Sequence, residues 1–161
     1  MKMPNWCLNN ATITHDDPAK LDEFVDAYKA GNLFEHYHPT PKDENGKLDE
    51  EWYDWRVTNW GTKWDVGGEY AFCERMVSVE NTVVLSFDSA WSPPIAFYEF
   101  MKGKGFDIRA SYFEPGMGFC GDWIDGMDNY YECDWRDFPD HLIQEYNMDE
   151  WYEDEEEEVG G

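Results

Sequence analysis

Positive charge is the scarcest feature of this chain. Of its 161 residues, 12 are Lys or Arg and 36 are Asp or Glu, which gives a formal net charge of −24. A protein that binds nucleic acid or anionic lipid directly needs a basic surface, and this chain carries the opposite sign. We therefore expect no direct nucleic-acid partner and no membrane partner.

Long apolar runs and paired cysteines are also missing. No segment approaches the ~18 apolar residues of a membrane-spanning helix, and the first residues do not have the pattern of a signal peptide. The cysteines lie far apart in the sequence, at Cys7, Cys73, Cys120 and Cys133. They lack the closely spaced pairs of a zinc site, so we expect free thiols in a reducing, cytoplasmic setting.

The common enzyme motifs are absent as well. There is no nucleophile elbow, no phosphate-binding loop and no dinucleotide fingerprint. His36 and His38 suggest half of a metal site, but two ordinary loop histidines explain the pair more simply. A calcium loop starting at Asp122 fails because its twelfth residue is Cys133 in place of Glu. We expect no metal, no cofactor and no enzymatic activity.

Aromatic residues and clustered acids are what the chain has in abundance. Aromatic residues make up 18% of it, which is enough apolar area to build a core despite the charge. Residues 111–161 hold 17 of the 36 acids and a single base, Arg136. The run of six acids from Glu153 repels itself, so we predict a disordered tail over 151–161.

The order of the predicted elements indicates an α+β fold. Strands are predicted at Trp6–Thr14, Met76–Glu80, Thr82–Asp88 and Asp107–Phe113, with a further antiparallel return over Gly118–Ile124. Helices are predicted from Pro18, capped by Asp17, from Pro93, capped by Ser92, and near Pro139. The sequence of the main elements is that of a ferredoxin-like βαββαβ sandwich with both helices on one face.

We expect a single ferredoxin-like domain over 1–150 with two additions. The first is an inserted loop over about 32–75, and the second is an acidic extension over about 115–150. The insert either carries a short helix around Asp49–Trp55 or is a packed loop held by its tryptophans.

Several short motifs carry a resemblance to a known family. They are Met3-Pro4-Asn5-Trp6-Cys7 with Asn9, Asn59-Trp60-Gly61-Thr62-Lys63-Trp64-Asp65, Ala90-Trp91-Ser92-Pro93-Pro94, Pro115-Gly116 and Phe119-Cys120-Gly121. In this order they resemble the YubB-like proteins encoded by phages and plasmids, which are assigned a ferredoxin-like domain and have no established activity. The resemblance implies that fold and an origin in a mobile element, which places the protein in the cytoplasm of a host cell, and it supplies no catalytic residues.

The tryptophan-containing motifs have two interpretations. Trp60, Lys63, Trp64 and Trp91 either line a pocket for a small anionic or planar ligand such as a nucleotide, or fasten the inserted loop to the sheet. The packing interpretation predicts that the three tryptophans lie close together and are mostly buried.

The acidic third suggests a function of its own. Ordered carboxylates can imitate the phosphates of a duplex and occupy the basic groove of a nucleic-acid-binding host protein. The residues predicted to form this surface are Asp122, Asp125, Asp128, Glu132, Asp134 and Asp137. The function expected first is therefore that of a phage or mobile-element accessory protein that inhibits a host defence. Small-ligand binding at the tryptophans is the alternative, and acidity that serves only solubility also stays open.

Overall fold

A six-stranded antiparallel sheet forms the centre of the protein. The computed structural model describes residues 5–152. The strands are β1 (Trp6–Thr14), β2 (Phe72–Arg75), β3 (Thr82–Ala90), β4 (Asp107–Glu114), β5 (Phe119–Ile124) and β6 (Met127–Glu132). Their order across the sheet is β2-β3-β1-β4-β5-β6, and every neighbouring pair is antiparallel.

Short helices connect and cover these strands. They are α1 (Pro18–Lys29), α2 (Leu33–Tyr37), α3 (Trp52–Asn59), α4 (Ile95–Lys102), α5 (Asp140–Glu145) and a 3₁₀ turn over Trp135–Asp137. Residues 148–152 are also helical, so the prediction of a disordered tail is wrong for residues 151 and 152. The rest of that prediction, residues 153–161, lies outside the described residues. Within residues 5–152, no helix has the length and apolar character needed to cross a bilayer.

The larger core lies between one face of the sheet and helices α1 and α4. Alternate residues of a strand point to opposite faces. Ile13, Leu85 and Ile108 of three adjacent strands therefore meet the same helices, through residues such as Phe24 and Phe97. Asp17 caps α1 by accepting a hydrogen bond from the backbone N–H of Ala19, as its position before Pro18 predicts.

A smaller core lies on the opposite face, beneath the C-terminal segment. Phe113 and Cys120 point to this face and pack against Phe138, Leu142 and Met148. Residues 110–114 of β4 are all buried, because both faces of the sheet are covered at that point. The acidic extension is thus packed onto the domain and contributes apolar residues to it.

The prediction of a ferredoxin-like βαββαβ sandwich is wrong. The sheet has six strands, with β5 and β6 continuing it beyond β4, and the chain has helices that this simple topology lacks. The physical reason is local. Asp125 and Gly126 both have positive φ, 53° and 81°, and so form a tight two-residue turn that returns β6 along β5. The extension therefore pairs with the sheet.

Two smaller predictions also need correction. Val77 and Val79 alternate with polar residues as in a strand, yet both are exposed and the strand lies earlier, at Phe72–Arg75. Ser92 was expected to cap the following helix. Helix α4 instead starts at Ile95 without a side-chain cap, and the Ser92 hydroxyl donates to the Gly61 carbonyl at 2.5 Å.

The inserted segment combines the two interpretations left open for it. It carries helix α3, and it is also held by tryptophan, because Trp60 is almost completely buried in the larger core. Backbone and side-chain hydrogen bonds add to this. The Phe97 amide donates to the Trp60 carbonyl at 3.2 Å, and the Thr62 hydroxyl donates to the Ala90 carbonyl at 2.8 Å.

Candidate functional site

Most acidic side chains of residues 111–152 lie on strands, the 3₁₀ turn or helices. Residues 111–152 contain eleven Asp and Glu residues, and Arg136 is their only Lys or Arg. Two of the acids, Glu114 and Asp122, are buried. The other nine are exposed, and they are Asp125, Asp128, Glu132, Asp134, Asp137, Asp140, Glu145, Asp149 and Glu150. We call these nine residues the acidic surface.

Asp122 was predicted to lie on the acidic surface, and this prediction is wrong because the residue is buried. Its side chain is only 8% exposed. One carboxylate oxygen accepts from the Asn129 amide at 2.8 Å, and the other lies 3.0 Å from the His141 Nε2. Because Asp122 is in β5 and His141 is in α5, this contact holds the helix against the sheet.

Three of the other predicted acids are fixed by hydrogen bonds. Asp128 accepts from the Tyr112 hydroxyl at 2.5 Å, and Glu132 accepts from the Tyr130 hydroxyl at 2.8 Å. Partial desolvation of Tyr130, followed by its hydrogen bond to Glu132, raises the pKa of this phenol to about 12. Asp134 accepts from the Arg136 backbone N–H at the start of the 3₁₀ turn. These carboxylates therefore have defined positions.

The strand predicted over Gly118–Ile124 corresponds to β5, whereas β6 and the turn that leads into it were missed by the sequence analysis. The signal for the turn was present as the pair Asp125-Gly126, the commonest kind of two-residue hairpin turn, which lies between Ile124 and Met127. The polar run from Met127 to Glu132 has little apolar alternation, so it does not look like a strand. It is an edge strand, and charged edges are common because they discourage aggregation.

The four residues of the predicted ligand pocket do not share one environment. Trp60 is 1% exposed and packs against Phe34, with its indole N–H donating to the His38 carbonyl at 2.9 Å. Trp64 and Trp91 are 37% and 44% exposed. The prediction that all three tryptophans are mostly buried is thus correct for Trp60 and wrong for the other two. Of the three tryptophans, only Trp64 and Trp91 are accessible to a ligand.

Trp64 also forms an exposed aromatic pair with Trp6, the first residue of β1, which the sequence did not predict. The rings of Trp6 and Trp64 lie 5.9 Å apart, and the Lys63 ammonium lies 4.5 Å from the Trp64 ring centre. Trp91 has φ of 70°, an uncommon backbone conformation for a bulky residue. Its amide donates to the Asn5 carbonyl at 2.8 Å, which ties this strained residue to the start of β1.

The exposure of Trp64 lowers the expected cost of removing its ring. Trp64→Ala should reduce the free energy of unfolding by roughly 1–2 kcal/mol, since the ring packs only partly against Trp6 and Lys63. Urea unfolding followed by circular dichroism measures this value. A loss of about 4 kcal/mol, typical of a fully buried tryptophan, would contradict the half-exposed placement.

A groove on the sheet face opposite α1 and α4 is the second feature of functional interest. It has a volume of about 690 Å³ and lies over β1 and β3, between the segment at 65–72 and the end of α5. Asn10 and Ser86 form its floor and are joined by a hydrogen bond of 2.6 Å. The sequence analysis did not find this groove, because its lining residues are scattered from Trp6 to Asn147.

Helix α5 forms one wall of the groove and is fixed by polar contacts. The Ser111 hydroxyl donates to Glu145 and also lies 2.8 Å from the Tyr146 hydroxyl. With the contact between His141 and Asp122, these bonds join both ends of α5 to β4 and β5. This wall of the groove is therefore held to the sheet by contacts at both ends of α5.

Comparison with known proteins does not assign this chain to a family. No family model, no curated protein and no solved structure matches the chain. The resemblance to the YubB-like proteins therefore stays a prediction from the motifs.

Proposed function

We propose that this chain is a non-enzymatic accessory protein of a phage or mobile element that binds a host protein through the acidic surface. The surface takes the place of nucleic-acid phosphates in a basic groove of that host protein, and a host-defence protein is the expected target. The observation that carries the proposal is the excess of exposed acidic over basic side chains in residues 111–152. Nine exposed carboxylates stand against one base in residues 111–152.

Fixed charges suit this role better than a flexible acidic run. Carboxylates held on a hairpin and a helix keep their spacing, so little conformational entropy is lost when a basic partner binds. Their summed field also attracts a basic partner and accelerates encounter at low salt. The mobile-element setting rests on the motif resemblance alone.

The alternative, nucleotide binding at Trp60, Lys63, Trp64 and Trp91, has less support. The Trp60 ring is enclosed by Phe34, Trp55 and Arg56, so it has no free face on which a base can stack. Lys63 is the one cation of the set, and its ammonium already lies over the Trp64 ring.

Neutralising part of the acidic surface tests the proposal. The variant carries Asp125→Asn, Asp128→Asn, Glu132→Gln and Asp134→Asn, which keep the hydrogen-bond acceptors while removing four charges. We expect an unchanged or slightly higher melting temperature, because like-charge repulsion falls. We also expect at least about tenfold weaker binding to the basic host protein and a shallower dependence of affinity on salt.

The partner is found by affinity capture from host lysate at about 50 mM salt, with duplex DNA as the competing eluent. A matched control neutralises four exposed acids elsewhere, with Asp26→Asn, Glu44→Gln, Asp54→Asn and Glu99→Gln, and should bind normally. Equal binding by both variants and the native protein would show that the acidity serves only solubility. Failure of duplex DNA to displace the partner would contradict nucleic-acid mimicry.

A further inference from the structure

All charged residues that line the groove over β1 and β3 are acidic. Three acidic residues line it, Asp65, Asp88 and Glu145, and none of the described lining residues is Lys, Arg or His. An anionic ligand such as a phosphate would meet repulsion here with no compensating base. The groove therefore favours a cation.

One of these carboxylates is available for a ligand. Asp65 accepts from the backbone N–H groups of Phe34 and Glu35, and Glu145 accepts from Ser111. For the Asp88 carboxylate, the described residues provide no hydrogen bond and no ion pair. Desolvation by the surrounding residues raises the pKa of Asp88. A cation bound beside it would stabilise its charge.

The remaining walls are aromatic. Trp6, Tyr70 and Phe72 line the groove and are exposed, with Tyr70 at 94%. The faces of aromatic rings attract cations, and a flat guanidinium also stacks on them. A groove lined by a carboxylate and by exposed rings thus suits an arginine side chain better than a compact, strongly hydrated ammonium.

We propose that this groove binds an arginine side chain of the basic partner, with the guanidinium paired to Asp88 and packed against Trp6 and Phe72. The inference rests on the proposed function, because it specifies where a side chain of the basic partner binds to this chain. The volume of about 690 Å³ exceeds that of one side chain, so the groove has room for the neighbouring backbone of the partner as well. The acidic surface attracts the partner, and the groove fixes its position.

A peptide titration of the full chain tests the groove directly. The probe is the peptide acetyl-Gly-Arg-Gly-Arg-Gly-amide, and its citrulline counterpart keeps the shape while removing the charge. Binding is followed by two-dimensional NMR of backbone amides and tryptophan indoles. The arginine peptide should shift the Trp6 indole and the amides of Phe72 and Asp88, and the citrulline peptide should leave them in place.

Substitutions locate the site and separate it from the acidic surface. Asp88→Asn should weaken binding of the arginine peptide by about tenfold, and Phe72→Leu should weaken it several-fold by removing the ring. Asp107→Asn, an exposed acid at the start of β4, is the control and should bind normally. Melting temperatures of all three variants show that they are folded.

The outcomes are distinguishable. If Asp88→Asn binds the arginine peptide as the native protein does, or if the shifts occur only in β5 and β6, the groove proposal is wrong. The proposed function would survive that result, provided that neutralising the acidic surface still releases the host protein. If neutralisation releases nothing, the proposed function fails, whatever the peptide does at the groove.

Discussion

Trp60→Ala should lower the free energy of unfolding by about 3–5 kcal/mol, the cost of deleting a fully buried aromatic side chain. The Trp60 ring contacts Phe34 at a centroid distance of 5.3 Å, and the Arg56 guanidinium lies 4.7 Å from the ring centre. Its indole N–H is bonded to the His38 carbonyl. Removing the ring therefore leaves a cavity and an unpaired carbonyl, and it loosens the whole insert.

Chemical denaturation followed by far-ultraviolet circular dichroism measures this effect without relying on tryptophan emission. Trp64→Ala is the matched control, since it removes the same side chain from a half-exposed position four residues away. Equal losses for the two variants would contradict the division of roles between a buried Trp60 and a partly exposed Trp64.

Gly121→Ala should destabilise the protein by about 3 kcal/mol, at the upper end of the usual cost of overpacking. A Cβ atom at this position would lie 2.3 Å from the Asn129 carbonyl oxygen and 2.4 Å from the Tyr112 hydroxyl. Neither group can move freely. Asn129 belongs to the neighbouring strand β6, and Tyr112 is buried and bonded to Asp128.

Differential scanning calorimetry gives the change in melting temperature, and Gly103→Ala serves as the control. A Cβ at Gly103 would lie 3.3 Å from the Phe100 carbonyl oxygen, which needs a shift of only a few tenths of an ångström, and the φ of this residue is −63°. Alanine there should therefore change stability by less than about 1 kcal/mol. A Gly121→Ala protein as stable as the control would mean that β5 and β6 do not pack as described. It would also remove the basis for a fixed acidic surface.

Helix α5 connects the two parts of the proposed interface. It carries Asp140 and Glu145 of the acidic surface, and Glu145 also lines the groove. Its contacts with Asp122 and Ser111 hold both residues in place. In the proposed complex, a basic partner at the groove also contacts carboxylates whose positions are already set. This arrangement reduces the ordering cost of binding on the side of this chain.

Local signals in the sequence determined several elements correctly. The strand at Trp6–Thr14 and the helix from Pro18 follow from β-favouring residues and from a capped amphipathic pattern, both of which act within a few residues. The strand from Asp107 is also close to its predicted bounds. The concentration of acids after residue 110 is likewise a property of the sequence alone.

Only the tertiary structure decided what each side chain faces. The alternation at Val77 and Val79 matches that of a strand, yet β3 pairs instead with Phe72–Arg75, and pairing partners are set by distant residues. Trp60 and Trp64 look alike in sequence, but one is enclosed by the core and the other is half exposed. Asp122 resembles the other acids of its segment in sequence, but in the structure it is buried by contacts with His141 and Asn129. Charge and local conformation are encoded by neighbouring residues, whereas burial and the groove arise from contacts between residues that are far apart in the chain.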